Sequence, residues 1–527
     1  MATSERALGG SLEEQRAIRS AKVDALRRSG VDPYPDRFER TATSAELRAR
    51  YEGLDADQAT GQVERVAGRV LLVRRMGKLQ FLTLRDVDGP IQLFVSKAVI
   101  GEEGFAAVAD LDLGDWAGAE GEVVTTKTGE LSVKATAVTL LAKALRPLPD
   151  KWRGLSDLDT RFRQRYVDLI VNEEARRVFE VRHAVVAAFR RVLDAEGFVE
   201  VETPVLHLEA GGATARPFAT RHNALDADMY LRIAPELHLK RLVVGGMERV
   251  YEIGRVFRNE GLSPRHNPEF TMLEVYQALG NHEDMMRLTE RLIAGAAEAA
   301  RGTLLIDGVD LTPPWPRRRV SDLVAEHTGH ELTVHTPLHE ARAVCDALEV
   351  GYEDYWGAGR LLYTVFDKRV EEHLDGPVFA YEYPAEVSPL AKPNAADPDV
   401  VDRFELFVAG REVANAYSEL NDPVRQRAMF EAEVALAEQG DPEAQRTVDE
   451  DYLRALEFGL PPTGGLGVGI DRVTMLMAGV PSIREVILFP ALRPESGSGS
   501  AVEVGQVGQV GQVGQVGQVG QGDGEAQ

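Results

Sequence analysis

Cysteine is nearly absent, with Cys345 the one example in 527 residues. A lone thiol can form neither an intramolecular disulfide nor a thiolate metal cage, which excludes a small stapled scaffold and makes a reducing cytoplasm the expected setting. Long hydrophobic runs are missing as well. No apolar stretch approaches the ~18 residues of a membrane span, and Met1 to Gln15 carries Glu5, Glu13 and Glu14 without the apolar core of a secretory signal. No membrane role is expected. The third absence is excess positive charge: 60 Lys and Arg against 84 Asp and Glu give −24, which argues against non-specific coating of nucleic acid. Residues 1–150 nonetheless hold 21 basic against 23 acidic side chains, a balance of −2, leaving 39 against 61, or −22, for the remainder. The front third is therefore the better candidate to meet a polyanion. What is present, 44% hydrophobic and 27% charged residues, suits a soluble chain of several domains with a sizeable core.

Ser11 to Ser29 reads as an amphipathic helix with Leu12, Ile18, Val23 and Leu26 on one side, ended by Gly30 and Pro33. Five β-rich runs follow at 69–73, 80–84, 91–95, 121–126 and 131–138, with turn signals at Met76-Gly77, Asp88-Gly89 and Thr128-Gly129. A small five-stranded barrel is expected, the OB-fold ahead of an anonymous barrel. Leu145 to Asp157, with Pro147, Pro149 and Gly154, reads as a linker. A larger α+β domain follows, with helices near 174–196 and 282–301, strands near 249–258 and 270–277, and a strand-to-helix unit at 465–479. After Pro494 come six Val-Gly-Gln triplets, from Val504 to Gln521. Without proline they suit disorder better than a collagen helix.

Three segments carry chemistry. Tyr251 to Glu260 and Phe270 to Tyr276 flank a polar loop of about ten residues, longer than an ordinary hairpin loop. Alternation places Glu252, Gly254, Val256 and Arg258 on one face of the first strand, and Phe270, Met272, Glu274 and Tyr276 on one face of the second. If those faces coincide, an arginine, a stacking aromatic, a carboxylate and a phenol share one floor; the alternative is an exposed face with surface ion pairs. Next, Gly465, Gly467 and Gly469 strip one strand face of side chains just before Arg472. That would make a phosphate seat, or mark close packing, and it lacks the Walker lysine and the Rossmann spacing. Finally, a turn at Ala409-Gly410 sets Glu412 opposite Phe407 and Glu405 opposite Ala414, so the carboxylates are diagonal neighbours. They could share Mg²⁺ with substrate phosphates, or be two solvated strand residues. Asn415, Tyr417 and Glu419 then fall on the other face, so one site using both sets needs a bulge between Glu412 and Asn415.

From about residue 10 to Pro494 the chain resembles class II lysyl-tRNA synthetases of the subgroup with an amino-terminal OB-fold. Gly197–Pro204 looks like the family's motif 1, Phe257–Glu260 with its loop like motif 2, and Gly467–Arg472 like motif 3; Gly211–Phe218, Ala234–Leu237, Tyr383–Ala391 and Asn415–Asp422 resemble lysine-specific stretches. The resemblance implies a multidomain α+β chain: a helical extension at 1–59, an anticodon-binding OB-fold at 60–148, a catalytic antiparallel sheet flanked by helices at 155–494, and a tail at 495–527. It implies that Arg258 and Arg472 are catalytic and bind ATP with Glu260, His266 and Phe270: Arg258 on the α-phosphate and the lysine carboxylate, Phe270 on adenine, Arg472 on the γ-phosphate. Glu405 and Glu412 would hold Mg²⁺. Gly212 and Glu236 would meet the lysine α-amino group, Tyr276 and Glu419 the ε-ammonium, with Glu274, Asn415 and Tyr417 completing the pocket. Arg74, Phe81 and Gln92 match positions that read and stack an anticodon. The implied partners are tRNA(Lys), L-lysine, ATP and, through motif 1, a second copy of the chain.

In-line attack by the lysine carboxylate needs no covalent nucleophile, only positioning and charge neutralisation, and a buried ammonium needs acidic partners. Two rivals are weaker. A paralogue that passes lysine to a protein would lack the front domain, and a catalytically dead tRNA binder would not need Arg258, Glu405, Glu412 and Arg472 together. The Arg317-Arg318-Arg319 run reads as a solvated charge run rather than a nucleic-acid patch.

Overall fold

The computed structural model describes residues 11–149, 155, 157–209, 211–213, 215–441 and 444–494. Part of the expected linker and the whole Val-Gly-Gln tail lie outside the described residues. The chain divides into two compact units, Met1–Arg176 and Arg177–Gln527.

In the first unit, five strands close a barrel in the order β1-β2-β3-β5-β4. They are β1 (Ala59–Met76), β2 (Leu79–Arg85), β3 (Pro90–Ser96), β4 (Trp116–Thr125) and β5 (Leu131–Ala142). Inward residues such as Val70, Leu82, Leu84, Leu93 and Val133 are fully buried in its core, as alternation in a small closed barrel demands. A kinked helix, Lys97–Ala109, broken at Gly101 (φ 81°), joins β3 to β4. The amino-terminal helix Leu12–Arg28 begins with a Ser11/Glu14 capping box. Its apolar side is less buried than its pattern implies: Val23 is covered, but Leu12 and Ile18 stay nearly half exposed. The anchor is Arg19, whose guanidinium donates to the carbonyls of Leu113, Ala144 and Arg146.

The second unit holds an eight-stranded sheet in the order β14-β15-β16-β17-β18-β11-β10-β6. Its first members are β6 (Val199–Glu200), β10 (Arg249–Phe257) and β11 (Glu269–Ala278), and between them β7 (Leu206–His207), β8 (Ala219–His222) and β9 (Ala227–Leu231) make a small antiparallel sheet. After the hairpin β12 (Leu305–Ile306) and β13 (Val309–Asp310) come β14 (Arg317–Arg319), β15 (Val378–Pro384), β16 (Val400–Val408), β17 (Arg411–Ser418) and β18 (Thr463–Gly469). The six strands from β15 to β10 pair antiparallel; the edge strands β14 and β6 pair parallel. Helices Glu173–Ala195 and His282–Arg301 supply Val185, Phe189, Leu288 and Leu292 to the core under one face, where Phe404, Leu406, Ala414, Ala416 and Val468 point. The arginine run is the edge strand β14, with Arg318 and Arg319 paired to Glu326 and Glu382.

Candidate active site

The face opposite that core is a continuous polar floor set by strand register. Glu405 lies opposite Asn415, Asn415 opposite Gly467, Gly467 opposite Glu274, and Glu274 opposite Glu252, one row across five strands. The next row runs Arg403, Tyr417, Gly465, Tyr276. The two faces read from alternation in β10 and β11 do coincide, since Val256 pairs with Phe270, Gly254 with Met272 and Glu252 with Glu274.

The bulge that a single site requires is present. Leu406 pairs with Ala414 and Phe407 with Glu412, so Val413 is the extra residue. Val413 and Ala414 both enter the core, which turns Glu412, Asn415, Tyr417 and Glu419 to the same side. One detail differs from simple counting back from the turn: Glu405 faces Asn415, not Ala414. The turn itself is tight, with Ala409 at φ 52° and Gly410 at φ 67°, the left-handed pair of a two-residue hairpin loop.

At one end of the floor sit the arginines. Arg258 lies over the Phe270 ring, 5.2 Å from guanidinium carbon to centroid, and burial lowers its pKa against the pull of Glu412, Glu260 and Glu274. Arg472, in the first turn of the helix Ile470–Ala478, donates from one nitrogen to the Glu412 carboxylate at 2.7 Å and the Glu412 carbonyl at 2.9 Å. Asp471 beside it braces that helix, accepting from Arg182 at 2.5 Å and from the Thr271 backbone N–H at 2.7 Å. Glu260 and His266 lie on the surface of the intervening loop, where His266 meets Ser263 at 2.9 Å and its pKa is lowered by partial desolvation and by Arg472.

Glu405 is fixed by Arg403, 2.6 Å away, and by the Tyr383 hydroxyl at 2.9 Å. Arg403 also holds Asn415 at 3.0 Å and Ser388 at 2.9 Å. Burial, with Glu412 nearby, pushes the Glu405 carboxyl up to about 7. Glu371, from a short turn of helix, is pushed up to about 9 by burial and by Glu405, Asp367 and Glu412. For Glu412 burial acts upward too, but Arg472 outweighs it and holds the carboxyl low. Such a concentration of acid, Glu405 buried and Glu371 and Glu412 partly so, facing arginines, fits a hard divalent cation that shares its shell with phosphates. Elsewhere among the described residues, His335, Asp397 and Asp399 form a group of possible metal ligands. That group is exposed, and Asp397 at 2.8 Å from His335 raises the imidazole pKa and so favours a proton over a metal.

At the other end is an acid-lined pocket. Glu236, in the first turn of the helix Glu236–Val244, accepts from the Tyr417 hydroxyl at 2.6 Å. Gly212 (φ 86°) packs on that turn, and a Cβ there would lie 3.2 Å from the Glu236 Cβ. Tyr276 donates to Glu274 at 3.0 Å; burial and the Glu236 charge push Glu274 up to about 8. Glu419 is 1% exposed and its Oε1 has no hydrogen-bond partner among the described residues. That oxygen hangs over Gly465, where a Cβ would come within 1.9 Å of it and 2.8 Å of Tyr276. Lys240, which lies outside every motif of the sequence named above, completes the pocket. Its ammonium is wholly buried, 2.6 Å from Glu236, ion-paired with Glu419, and over the ring of Tyr417 at 5.4 Å. Its spacing of four from Glu236 on one helix was the available signal.

On the barrel, Arg74 pairs with Phe81, Phe81 with Phe94, and Gln92 with both Thr83 and Ser132. Phe81 and Phe94 stack at 5.3 Å outside the barrel core, with Arg74 6.0 Å from the Phe81 centroid. Arg74 donates to Gln92 at 3.0 Å and Gln92 to Ser132 at 2.9 Å. Arg74, Thr83, Gln92, Thr128 and Glu130 line a depression of about 360 Å³. A half-buried aromatic next to base-edge donors and acceptors is what single-stranded RNA recognition uses.

Residues 157–493 match the family described as tRNA synthetases class II (D, K and N), and residues 64–141 match the OB-fold nucleic acid binding domain. The lysine–tRNA ligase of Bacillus subtilis is 49% identical over 488 residues, 92% of this chain and 98% of the relative. That of Enterococcus faecalis is 50% identical over 499 residues, 94% of this chain and 100% of the relative. The similarity runs through both units, and the chain belongs to the class II tRNA synthetases of the D, K and N group, among the lysine–tRNA ligases.

Proposed function

We propose that the chain joins L-lysine to tRNA(Lys) in two ATP-dependent steps, through a lysyl-adenylate. The observation that carries this reading is the set of buried carboxylates, Glu274 on the sheet face, Glu419 just past β17 and Glu236 on the helix beside it, that shares one side of the sheet with Arg258 and Arg472, with a strip of glycine backbone between. The acids take the two ammonium groups of lysine: Glu236 with Gly212 the α-amino group, Glu419 with Tyr276 the ε-ammonium. Glu274, Asn415 and Tyr417 close the pocket. Arg258 holds the lysine carboxylate against the α-phosphate, so that an oxygen attacks in line while pyrophosphate leaves. Phe270 stacks on adenine, Glu260 and His266 contact the nucleotide, and Arg472 turns from Glu412 to the γ-phosphate. Glu405 and Glu412 would hold Mg²⁺, which would supply further neutralisation of phosphate charge. Several acids around a buried ammonium penalise neutral isosteres strongly, because they would remain unpaired.

Residues 60–148 form the anticodon-reading domain, with Phe81 stacking and Arg74 and Gln92 addressing base edges, and 155–494 the catalytic domain. Two copies associate through the motif 1 region, where Val199, Val205, Leu206 and Leu208 stand 40–63% exposed, an apolar surface that a partner would cover. A chain with one cysteine, the buried Cys345, suits work in the cytoplasm, and no helix among the described residues is long and apolar enough to cross a membrane. The test is ATP–pyrophosphate exchange over all twenty amino acids. Exchange should need lysine and Mg²⁺; equal exchange with aspartate or asparagine would overturn the specificity.

A further inference from the structure

Lys240 is the most deeply buried cation in the second unit's pocket, and no step of the proposed chemistry uses it. Its side chain is 0% exposed. It sits on the helix Glu236–Val244, whose other buried residues are Glu236, Leu237, Leu239 and Val243. Its ammonium bridges two carboxylates from different elements: Glu236 on its own helix and Glu419 just after β17. The rings of Tyr417 and Tyr452 close over it at 5.4 and 6.0 Å. Burial alone would strip its proton, but Glu236, Glu419 and Tyr452 outweigh that and hold it charged.

The charges around it do not balance. Once all three are ionised, Glu236, Glu274 and Glu419 face one resident ammonium with two negative charges in excess; in the ligand-free pocket burial and Glu236 keep Glu274 protonated up to about pH 8. The other two acids of the Glu274 row are already paired, Glu252 with Arg232 and Glu405 with Arg403, each at 2.6 Å. Lysine carries two ammonium groups, and its carboxylate is met separately by Arg258. We propose that Lys240 is a specificity-determining positioning residue: it clamps Glu419 to Glu236 and leaves the pocket short of positive charge by the two ammonium groups of the substrate. With its Oε2 on Lys240, Glu419 presents Oε1 over Gly465, where no hydrogen-bond partner among the described residues competes with the incoming ammonium. Without the clamp, two acids in low dielectric would lower their mutual repulsion by taking up protons, and a protonated Glu419 no longer distinguishes an ammonium from a methyl group.

This inference rests on the pocket being the lysine site, and the experiment separates the two. In lysine-dependent ATP–pyrophosphate exchange by the full chain, norleucine, which has the same carbon chain without the ε-ammonium, is titrated as a competitor. The readout is the ratio of the norleucine Ki to the lysine KM. Lys240→Met and Lys240→Gln should lower that ratio by about tenfold or more, with the ATP KM within about twofold, while Lys240→Arg should retain most of it. Should Lys240→Met fail to melt cooperatively, Lys240→Gln carries the comparison. An unchanged or increased ratio in the neutral variants, or an equal loss of lysine, norleucine and ATP affinity, overturns the role given to Lys240. Glu419→Gln should collapse the ratio whatever Lys240 does; if it does not, the pocket reading itself fails.

Discussion

Gly465→Ala is the sharpest test of the sheet face as a lysine site. The added Cβ would lie 1.9 Å from Glu419 Oε1 and 2.8 Å from Tyr276 Cε1, so both side chains must move. Neither can do so cheaply. Glu419 is 1% exposed and tied to Lys240 through its other oxygen; Tyr276 is 3% exposed and donates to Glu274 at 3.0 Å. Overpacking of this kind costs about 1–3 kcal/mol of stability. The contact misplaced is a charge-assisted one, worth about 1.5–3 kcal/mol, so kcat/KM for lysine in pyrophosphate exchange should fall about tenfold to 150-fold. The ATP KM should stay within about twofold, because Arg258 and Arg472 are untouched. Gly467→Ala makes the contrast: its Cβ meets Met272 Cε at 3.2 Å, the mobile end of a flexible chain. Its stability should stay within about 0.5 kcal/mol of wild type, so that any lost activity reports a ligand lying over the backbone. If Gly465→Ala kept the wild-type lysine kcat/KM, or if its loss fell equally on ATP, the ε-ammonium site would have to be placed elsewhere.

Three further outcomes follow from the same geometry. Phe81→Ala removes a stacking platform worth about 1–3 kcal/mol per base, so tRNA charging should drop roughly tenfold to a hundredfold in kcat/KM with pyrophosphate exchange unchanged; unaffected charging would remove Phe81 from the recognition surface. Arg472→Gln should raise the KM for ATP while leaving that for lysine near wild type, and equal effects on both would separate Arg472 from the triphosphate. The third concerns pH. Glu274 and Glu371 are pushed from 4.5 to about 8 and about 9 by burial, so the folded, ligand-free chain holds protons that the unfolded chain has shed, and stability falls as pH rises through that window. Lysine with Mg-ATP supplies the missing cations, so the gain in melting temperature on adding them should be larger at pH 8 than at pH 6; equal gains would show that these acids do not titrate with binding.

Much of the floor was legible because β-strands repeat every two residues. Arg258, Phe270, Glu274 and Tyr276 came from alternation in two strands, and Gly465, Gly467 and Gly469 from the same period in a third. Alternation within each strand cannot say which strands lie side by side. Only the pairing of β18 between β11 and β17 sets the glycines between the two sets of acids. In the barrel, the Lys97–Ala109 helix carried little signal, because Gly101 and Gly104 weaken it as a helix and break its period. Arg403 was legible in principle: two residues before Glu405 on one strand, it had to share that carboxylate's face.

The bulge and the buried lysine were written in the sequence in a different way, as breaks in a period. Glu412-Val413-Ala414-Asn415 puts two apolar residues in succession inside an alternating strand. Both enter the core, which is possible only if the strand gains a residue against its partner, and that extra residue carries Glu412 round to the side of Asn415. Lys240 is the same kind of break in a helix, a cation among Leu237, Leu239 and Val243 on the buried face. An isolated charge there would cost several kcal/mol, so its presence demands acidic partners, and the helix provides just one, Glu236 four residues earlier. The second, Glu419, lies just past β17 on the face that Asn415 and Tyr417 share through their pairing with Gly467 and Gly465 of β18. The bulge brings Glu412 onto that same face, so one irregularity adds an acid to the floor and the other sets a cation against it.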